Sequence, residues 1–167
     1  MVNEATREIK VMQPYHYPMI KFDRAVIAAA KRGITPVVVT SGQRDQPVFK
    51  NIFNYMLFQR LIRKGIDVHE TKERLLHSKV YLTDGRHINL GSMNNDRWSW
   101  KINNEVNLAI EDWREYEWVN EYFEMMKGRG RPVTKNYTIS ASRAASIAFW
   151  QNFLYLSEIL MSQRGQP

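Results

Sequence analysis

The sequence contains no cysteine among its 167 residues. This excludes a disulfide framework, a cysteine-ligated zinc or iron–sulfur site, and a cysteine nucleophile. No stretch reaches the roughly 18 uncharged apolar residues that a membrane-spanning helix requires. The most apolar stretch, residues 147–161, is interrupted by Gln151, Asn152, Ser157 and Glu158. The amino terminus also lacks the apolar core of a signal peptide. We therefore expect a chain that does not cross a membrane by itself, although it can lie on one.

The composition is that of a soluble globular domain, with 44% hydrophobic and 25% charged residues. A chain of this length forms one domain and buries enough surface to need no disulfide or metal for its core. The balance of 24 basic against 17 acidic residues gives a net charge of +7. Such a surplus favours anionic partners, and nucleic acid, acidic lipid headgroups and phosphorylated substrates all remain open.

The first half of the chain alternates between helix and strand patterns. Apolar periodicity and end signals predict a helix over residues 18–32, a strand over 34–40, a helix over 48–64 and a strand over 66–70. Helix and strand in alternation are typical of a parallel sheet with helical crossovers.

The following segment departs from that alternation. Two strands, residues 75–82 and 87–90, are separated by a turn containing Asp84-Gly85, which predicts a hairpin. A further strand is expected at residues 104–110, and Asp112 is placed to cap a helix that runs through Lys127.

The predicted fold class is α/β, a single domain with a mixed, mostly parallel sheet flanked by helices, plus a carboxyl-terminal amphipathic helix. We expect the domain to span residues 1–127 and a basic linker with a docking or membrane-surface helix to span residues 128–167. The second part holds five basic residues and one acid, so it carries +4 of the net charge. Its wide apolar face, within residues 140–163, suits docking on protein or on a lipid surface.

Residues able to perform phosphoryl chemistry are concentrated between His77 and Glu105. In an extended strand His77 and Lys79 share one face, so an imidazole would lie beside a fixed positive charge. The next strand ends in Gly91-Ser92-Met93-Asn94, which offers a hydroxyl, a carboxamide and backbone N–H groups. Transfer of a phosphoryl group requires little beyond a nucleophile, a cation and such donors. Each residue alone is ordinary on a surface strand, and it is the joint spacing that favours a site.

This spacing resembles the HKD signature of the phospholipase D superfamily. The match consists of His77-x-Lys79, Asp84 after four intervening residues, and Gly91-Ser92-x-Asn94. The continuation, Asn94-x-Asp96, Ser99 and Asn103-x-Glu105, is similar to cardiolipin synthases and related phosphatidyltransferases. The similarity spans about residues 12–127 and corresponds to the second repeat of such enzymes.

The resemblance implies a role for each matched residue. His77 would be either the nucleophile that forms a phosphohistidine or the acid that protonates the leaving alcohol. Lys79 and Asn94 would bind the phosphoryl oxygens, with Gly91 and Ser92 completing the substrate-binding loop. Glu105 would orient His77 through a hydrogen bond, and Asp84 would be structural. The family chemistry uses no metal and no other cofactor.

The family site combines two such motifs, whereas this chain contains one. The resemblance therefore implies a second HKD-containing half, from another copy or a separate chain, or a larger multisubunit assembly. Three functions follow: half of a phosphatidyltransferase or phospholipase site, a catalytically idle structural subunit of a membrane-associated complex, or a homodimeric nuclease. Nucleic acid is the weaker partner, because the charge outside residues 128–167 is only +3. Anionic phospholipid and a membrane surface are the partners that the resemblance implies, at a mitochondrial or bacterial inner membrane.

Overall fold

A computed structural model describes residues 1–14, 20–41, 58–71 and 76–134, together with the isolated residues 145 and 149. Several predicted features lie outside these ranges: the loop after the first predicted strand, most of the helix at residues 48–64, and the carboxyl-terminal helix.

The described residues form a seven-stranded sheet in the order β6-β5-β4-β1-β2-β3-β7. The strands are β1 Ile9–Gln13, β2 Val37–Ser41, β3 Asp67–Thr71, β4 Val80–Thr83, β5 His87–Gly91, β6 Asn107–Glu111 and β7 Gly130–Pro132. The mixed sheet is confirmed, but it is less parallel than predicted. Only β1–β2 and β2–β3 are parallel pairs, and the other four pairs are antiparallel. The reason is that β4, β5 and β6 follow one another as an antiparallel meander on the far side of β1.

The helices are α1 Ile20–Lys31, α2 at residues 58–63, α3 Arg97–Lys101 and α4 Trp113–Arg129. Asp112 caps α4 as predicted, because its carboxylate accepts the backbone N–H groups of Arg114 and Glu115 at 2.7 and 3.3 Å. The short helix α3 was not predicted. It begins because Asp96 accepts the backbone N–H of Ser99 at 2.8 Å.

Helices cover the central strands on both faces. On one face, α1 and α2 pack over Val11, Val38 and Val68, which are at most 1% exposed. On the other face, α4 buries Met12 and Leu82. Strands buried on both sides need uninterrupted apolar residues, which explains the Val37–Val39 run.

Two strands occur where sequence patterns predicted none. Strand β1 forms at the centre of the sheet, and its signal was the alternation in Ile9–Gln13, which is short and adjoins charged residues. Strand β7 lies in the segment predicted as a linker. It pairs with β3 as the outermost strand of the sheet, and the guanidinium of its Arg131 donates to the buried carboxylate of Glu70 at 3.0 Å. The predicted division at residue 127 stays a prediction.

The β4–β5 hairpin is confirmed. Asp84 and Gly85 both adopt positive φ, 57° and 75°, which is the backbone geometry that an Asp-Gly turn supplies. Within the ranges that the structure describes, no helix is long and apolar enough to cross a membrane.

Candidate active site

Strand register brings the predicted site residues to one end of the sheet, where several strands begin or end. Met12 pairs with Val80, Val80 with Leu90, and Gly91 with Asn107. Four strand ends therefore lie side by side: the end of β1, the start of β4, the end of β5 and the start of β6. We call this end of the sheet the His77 edge. The segments next to these ends carry the motif residues.

His77 and Lys79 lie together just before β4, not within a strand as predicted. The Lys79 ammonium donates to the backbone carbonyl of His77 at 2.9 Å. It also lies 3.0 Å from Nε2 and 3.2 Å from Nδ1 of the His77 ring. The imidazole itself is exposed. The pair thus presents an accessible ring nitrogen beside a fixed cation.

Burial changes the electrostatics of Lys79, which is only 6% exposed. Loss of hydration lowers the pKa of Lys79, whereas the nearby carboxylates of Glu105 and Asp96 favour its charged form and oppose that shift. A poorly hydrated ammonium interacts more strongly with an incoming anion than a fully solvated one. Lys79 is therefore suited to hold a phosphoryl oxygen.

Gly91 allows β5 and β6 to approach closely at this edge. A Cβ atom at position 91 would collide with the backbone carbonyl of Val106 and the side chain of Asn107. The close approach lets the backbone N–H of Ser92 donate to the Val106 carbonyl at 3.0 Å. Only glycine leaves enough space here, and the close approach that it allows fixes the position of the Ser92 backbone.

Ser92 and Glu105 form the shortest hydrogen bond of the site. The Ser92 hydroxyl donates to Oε2 of Glu105 at 2.5 Å, and the Asn103 carboxamide donates to Oε1 at 3.2 Å. The Ser92 hydrogen bond is the main cause that lowers the pKa of Glu105, with smaller contributions from Ser99, Asn103 and Lys79. Glu105 is thus an ionised acceptor.

The structure does not show the predicted hydrogen bond between Glu105 and His77. The Glu105 carboxylate is bonded to Ser92 and Asn103, while the partner of the His77 ring is Lys79. The reason is local: Glu105 enters β6 beside the Ser92 loop, so its side chain meets that loop first. In this structure Glu105 acts on the site through Ser92 and through its charge on Lys79.

The loop after Ser92 is fastened to β1 by a residue that sequence reasoning did not identify. Gln13 is fully buried at the end of β1, and its Oε1 accepts the backbone N–H of Asn95 at 3.2 Å. This contact holds the loop that presents Asn94. Oδ1 of Asn94 is buried without a hydrogen-bond partner in the described part of the chain. The only signal in the sequence was a glutamine directly after the apolar residues Val11 and Met12.

Asp84 lies at the opposite end of β4 from Lys79. Its carboxylate accepts the backbone N–H groups of Thr6, Arg7 and Glu8 at 3.0, 2.8 and 3.2 Å. Burial alone would raise the pKa of Asp84, but these hydrogen bonds outweigh it, and the pKa is lowered. Asp84 joins the hairpin turn to the amino terminus and does not reach the His77 edge.

The remaining histidines lie apart from this edge or outside the described ranges. His69 bonds Asp67 at 2.9 Å, His87 lies 3.8 Å from Glu111, and His16 is not among the described residues. Among the residues that the structure describes, no group of three His, Asp or Glu side chains could hold a metal ion. The candidate site therefore consists of the exposed His77 imidazole, the buried Lys79 ammonium, the neutral donors of the Ser92 loop and the hydrogen-bonded Glu105 carboxylate. These groups match the needs of phosphoryl transfer.

Comparisons with known proteins identify the family of the chain. The family described as "Cardiolipin synthase, PLD-like domain" matches residues 1–127. Cardiolipin synthase B of Salmonella typhi is 34% identical over 112 residues, which are 67% of this chain and 27% of that protein. The chain thus spans little more than a quarter of that relative's length.

Two solved structures share the fold. A phospholipase D family member from Salmonella typhimurium superposes with a TM-score of 0.70 at 20% identity, over 79% of this chain and 85% of that one. A phosphatidylserine synthase from Haemophilus influenzae superposes with a TM-score of 0.75 at 11% identity, over 95% of this chain and 42% of that one.

Proposed function

The chain belongs to the cardiolipin synthase family with a phospholipase D-like domain, and from this membership we propose that it supplies one half of a two-motif site that transfers a phosphatidyl group. The observation that carries the proposal is the contact between Lys79 and the exposed His77 ring, 3.0 Å from Nζ to Nε2. A cation beside the nucleophile that can also bind the nonbridging oxygens of the attacked phosphorus is the central requirement of this reaction.

In the proposed reaction, a ring nitrogen of one motif histidine attacks phosphorus while the P–O bond to the leaving alcohol breaks. The histidine of the other motif gives its proton to that alcohol. In the second step, the acceptor alcohol loses its proton to the same partner histidine and attacks the phosphohistidine, which restores the free imidazole. No oxidant, reductant or metal is needed to balance these steps.

Lys79 has two tasks in this scheme. Before substrate binds, its ammonium lies 3.0 Å from Nε2 and 3.2 Å from Nδ1 of the His77 ring and so holds the ring in place. When a phosphodiester enters, the ammonium can turn to a nonbridging oxygen and leave the ring free to react. Asn94 and the Ser92 loop complete the binding of the phosphoryl oxygens, and Glu105 keeps the Ser92 hydroxyl in place.

A single motif supplies one histidine, so the proposal requires a second motif opposite His77. A second HKD-containing half would supply it, and the exposure of the His77 ring leaves room for such a half. The name of the Salmonella relative supports an anionic phospholipid as substrate and a membrane surface as the place of reaction. A bacterial inner membrane fits the organisms of the relatives.

The test is transphosphatidylation by the full chain, purified alone and with its native partners. Wild type is compared with His77→Asn and with His87→Asn, a matched control at the far end of the sheet. We expect activity in the wild type and in His87→Asn, and its loss in His77→Asn. Equal activity in wild type and His77→Asn would overturn the proposal. Inactivity of all three proteins under both conditions would also overturn it, in favour of a structural subunit.

A further inference from the structure

A row of polar side chains crosses the central strands of the sheet, where apolar residues are expected. Strand register pairs Glu70 of β3 with Thr40 of β2, and Thr40 with Gln13 of β1. These three residues are at most 1% exposed. Burial of a polar group costs free energy unless the group is hydrogen-bonded, so polar residues at such positions usually serve a local purpose.

The row leads to Lys79. Met12 of β1 pairs with Val80 of β4, so the next pair in the same antiparallel register is Gln13 with Lys79. The backbone N–H of Gly91 donates to the Lys79 carbonyl at 3.2 Å, which continues the strand pairing through Lys79. Opposite residues of neighbouring strands share one face of the sheet, with Cβ atoms about 4.5–5.5 Å apart. Gln13 is therefore the neighbour of Lys79 on that face.

The surroundings of Lys79 agree with this placement. Tyr81, two residues later, packs edge-on against Phe22 with ring centroids 5.6 Å apart, so this face of β4 lies under α1. Burial is the main cause of the lowered pKa of Lys79 and of the raised pKa of Tyr81, and the Asp96 carboxylate acts on both groups. The loop that carries Asp96 therefore lies on the same face as Gln13.

Gln13 also contacts the backbone next to Asn94. Its Oε1 atom accepts the N–H of Asn95 at 3.2 Å. Gln13 and Asn95 are both fully buried, so water does not compete for this hydrogen bond. Gln13 thus lies between Lys79, on the neighbouring strand, and the loop that carries Asn94.

Stability alone does not explain a glutamine at this position. Nε2 of Gln13 is buried without a hydrogen-bond partner among the described residues, and so is Oδ1 of Asn94. A buried amide group that stays unpaired lowers the stability of the fold. Natural proteins accept such costs mainly at functional sites.

We propose that Gln13 is a positioning residue that sets the distance between the Asn94 carboxamide and the Lys79 ammonium, so that both bind oxygens of one phosphoryl group. This inference rests on the proposed function, which gives those two groups that role. It adds a residue from outside the motif, 82 positions before Asn95 in the chain. Such support matters because a misplacement of about 1 Å can cost a site about a hundredfold in rate.

The test is a titration of the full chain with inorganic phosphate, followed by the NMR signals of the Lys79 and Asn94 amides. Gln13→Met keeps the length of the side chain but removes the acceptor of the Asn95 N–H. We expect the dissociation constant for phosphate to rise about tenfold in this variant. The Asn95 amide should also exchange faster with deuterated solvent, because its acceptor is lost.

Thr40→Val is the matched control. Thr40 is the neighbour of Gln13 in the row, is equally buried, and has a hydroxyl without a hydrogen-bond partner in the described ranges. It lies on the side of Gln13 away from Lys79. The substitution should therefore leave both the phosphate dissociation constant and the exchange of the Asn95 amide unchanged.

A double variant separates positioning from a general effect on the fold. In Asn94→Ala there is no carboxamide to position, so adding Gln13→Met should not weaken phosphate binding further. A merely structural role would give the same loss with and without Asn94. Urea denaturation of each variant measures stability separately, so that affinities refer to folded protein.

Three results would overturn the inference. The first is an equal phosphate dissociation constant in wild type and Gln13→Met. The second is an equal loss from Gln13→Met in the wild-type and Asn94→Ala backgrounds. The third is wild-type protein that shows no saturable phosphate binding, because there would then be no phosphate site to position.

Transphosphatidylation, assayed in parallel, distinguishes this inference from the proposed function. If the wild type binds phosphate in the expected Gln13-dependent way but transfers no phosphatidyl group with its native partners, the proposed function fails and the positioning role of Gln13 is supported.

Discussion

The two ends of the β4–β5 hairpin differ in how their polar groups are satisfied. At the turn, the Asp84 carboxylate accepts three backbone N–H groups and the Thr6 hydroxyl. At the open end, the His77 ring is exposed and Oδ1 of Asn94 is buried without a partner in the described structure. One end of the motif therefore uses its carboxylate to hold the fold, whereas the other end leaves an imidazole and a carboxamide oxygen without such hydrogen bonds.

The largest expected effect falls at the open end and on activity. We expect His77→Asn to lower transphosphatidylation by about a thousandfold or more, because loss of a nucleophile or its acid removes the covalent route. The free energy of unfolding should not change, since the ring is exposed. Initial rates and urea denaturation of the same preparations measure both quantities.

At the turn, a substitution should lower stability and leave activity unchanged. Asp84→Ala removes the acceptor of the Thr6, Arg7 and Glu8 N–H groups, and we expect it to lower the free energy of unfolding by about 2–3 kcal/mol. Activity per folded molecule should be retained. A loss of activity with unchanged stability would place Asp84 in the site and would remove the contrast between the two ends.

The pH dependence of stability tests the same difference between the two ends of the hairpin. The pKa of Asp84 is lower in the folded protein than its ordinary value of 3.8, so its contribution to stability is complete above that value. The contribution is lost as the pH falls from the ordinary value through the lower, folded value. Denaturation midpoints in that acid range should fall less steeply for Asp84→Asn than for wild type, and identical pH dependence would contradict this account.

A substitution at Gly91 tests the close approach of β5 and β6 at the open end of the hairpin. Gly91→Ala places a Cβ against the Val106 carbonyl and should cost about 1–3 kcal/mol of unfolding free energy as well as activity. Gly128→Ala is the matched control. It meets no atom within 4 Å on the surface of α4 and should stabilise the protein by about 0.5–1 kcal/mol. Equal stabilities of the two variants would mean that β5 and β6 can separate without cost.

Ser92→Ala should have the smallest effect. The Ser92 hydroxyl lowers the pKa of Glu105 by stabilising the carboxylate, so its removal lets that pKa rise toward 4.5. Glu105 then takes up a proton at higher pH, and the acid limb of the rate profile should move to higher pH. The measurement is the rate as a function of pH, and an unmoved acid limb would show that Glu105 has no part in the reaction.

The parts of the molecule that sequence predicted well are those with strong local signals. The Asp-Gly turn and the Asp112 cap depend on a few neighbouring residues, and both occur where expected. The motif residues came together because their spacing places them at strand ends. Local backbone preferences were enough to identify these features.

Features that depend on distant partners could not be predicted. Strand β7 is formed by backbone pairing with β3, which is distant in sequence, and the hydrogen bond from Arg131 to Glu70 accompanies that pairing. The partner of Glu105 is decided by the approach of β6 to the Ser92 loop, so a hydrogen bond expected with His77 is made with Ser92 instead. The anchoring by Gln13 likewise depends on a contact with Asn95 across the sheet edge.

The central claim is that His77 belongs to half of a composite site. An experimental structure of the protein purified with its native partners tests it most directly, by the position of the histidine nearest to His77. We predict a second His-x-Lys motif facing His77 across a gap that one phosphodiester fills. A His77 that faces only solvent, or a chain without such a motif, would contradict the account.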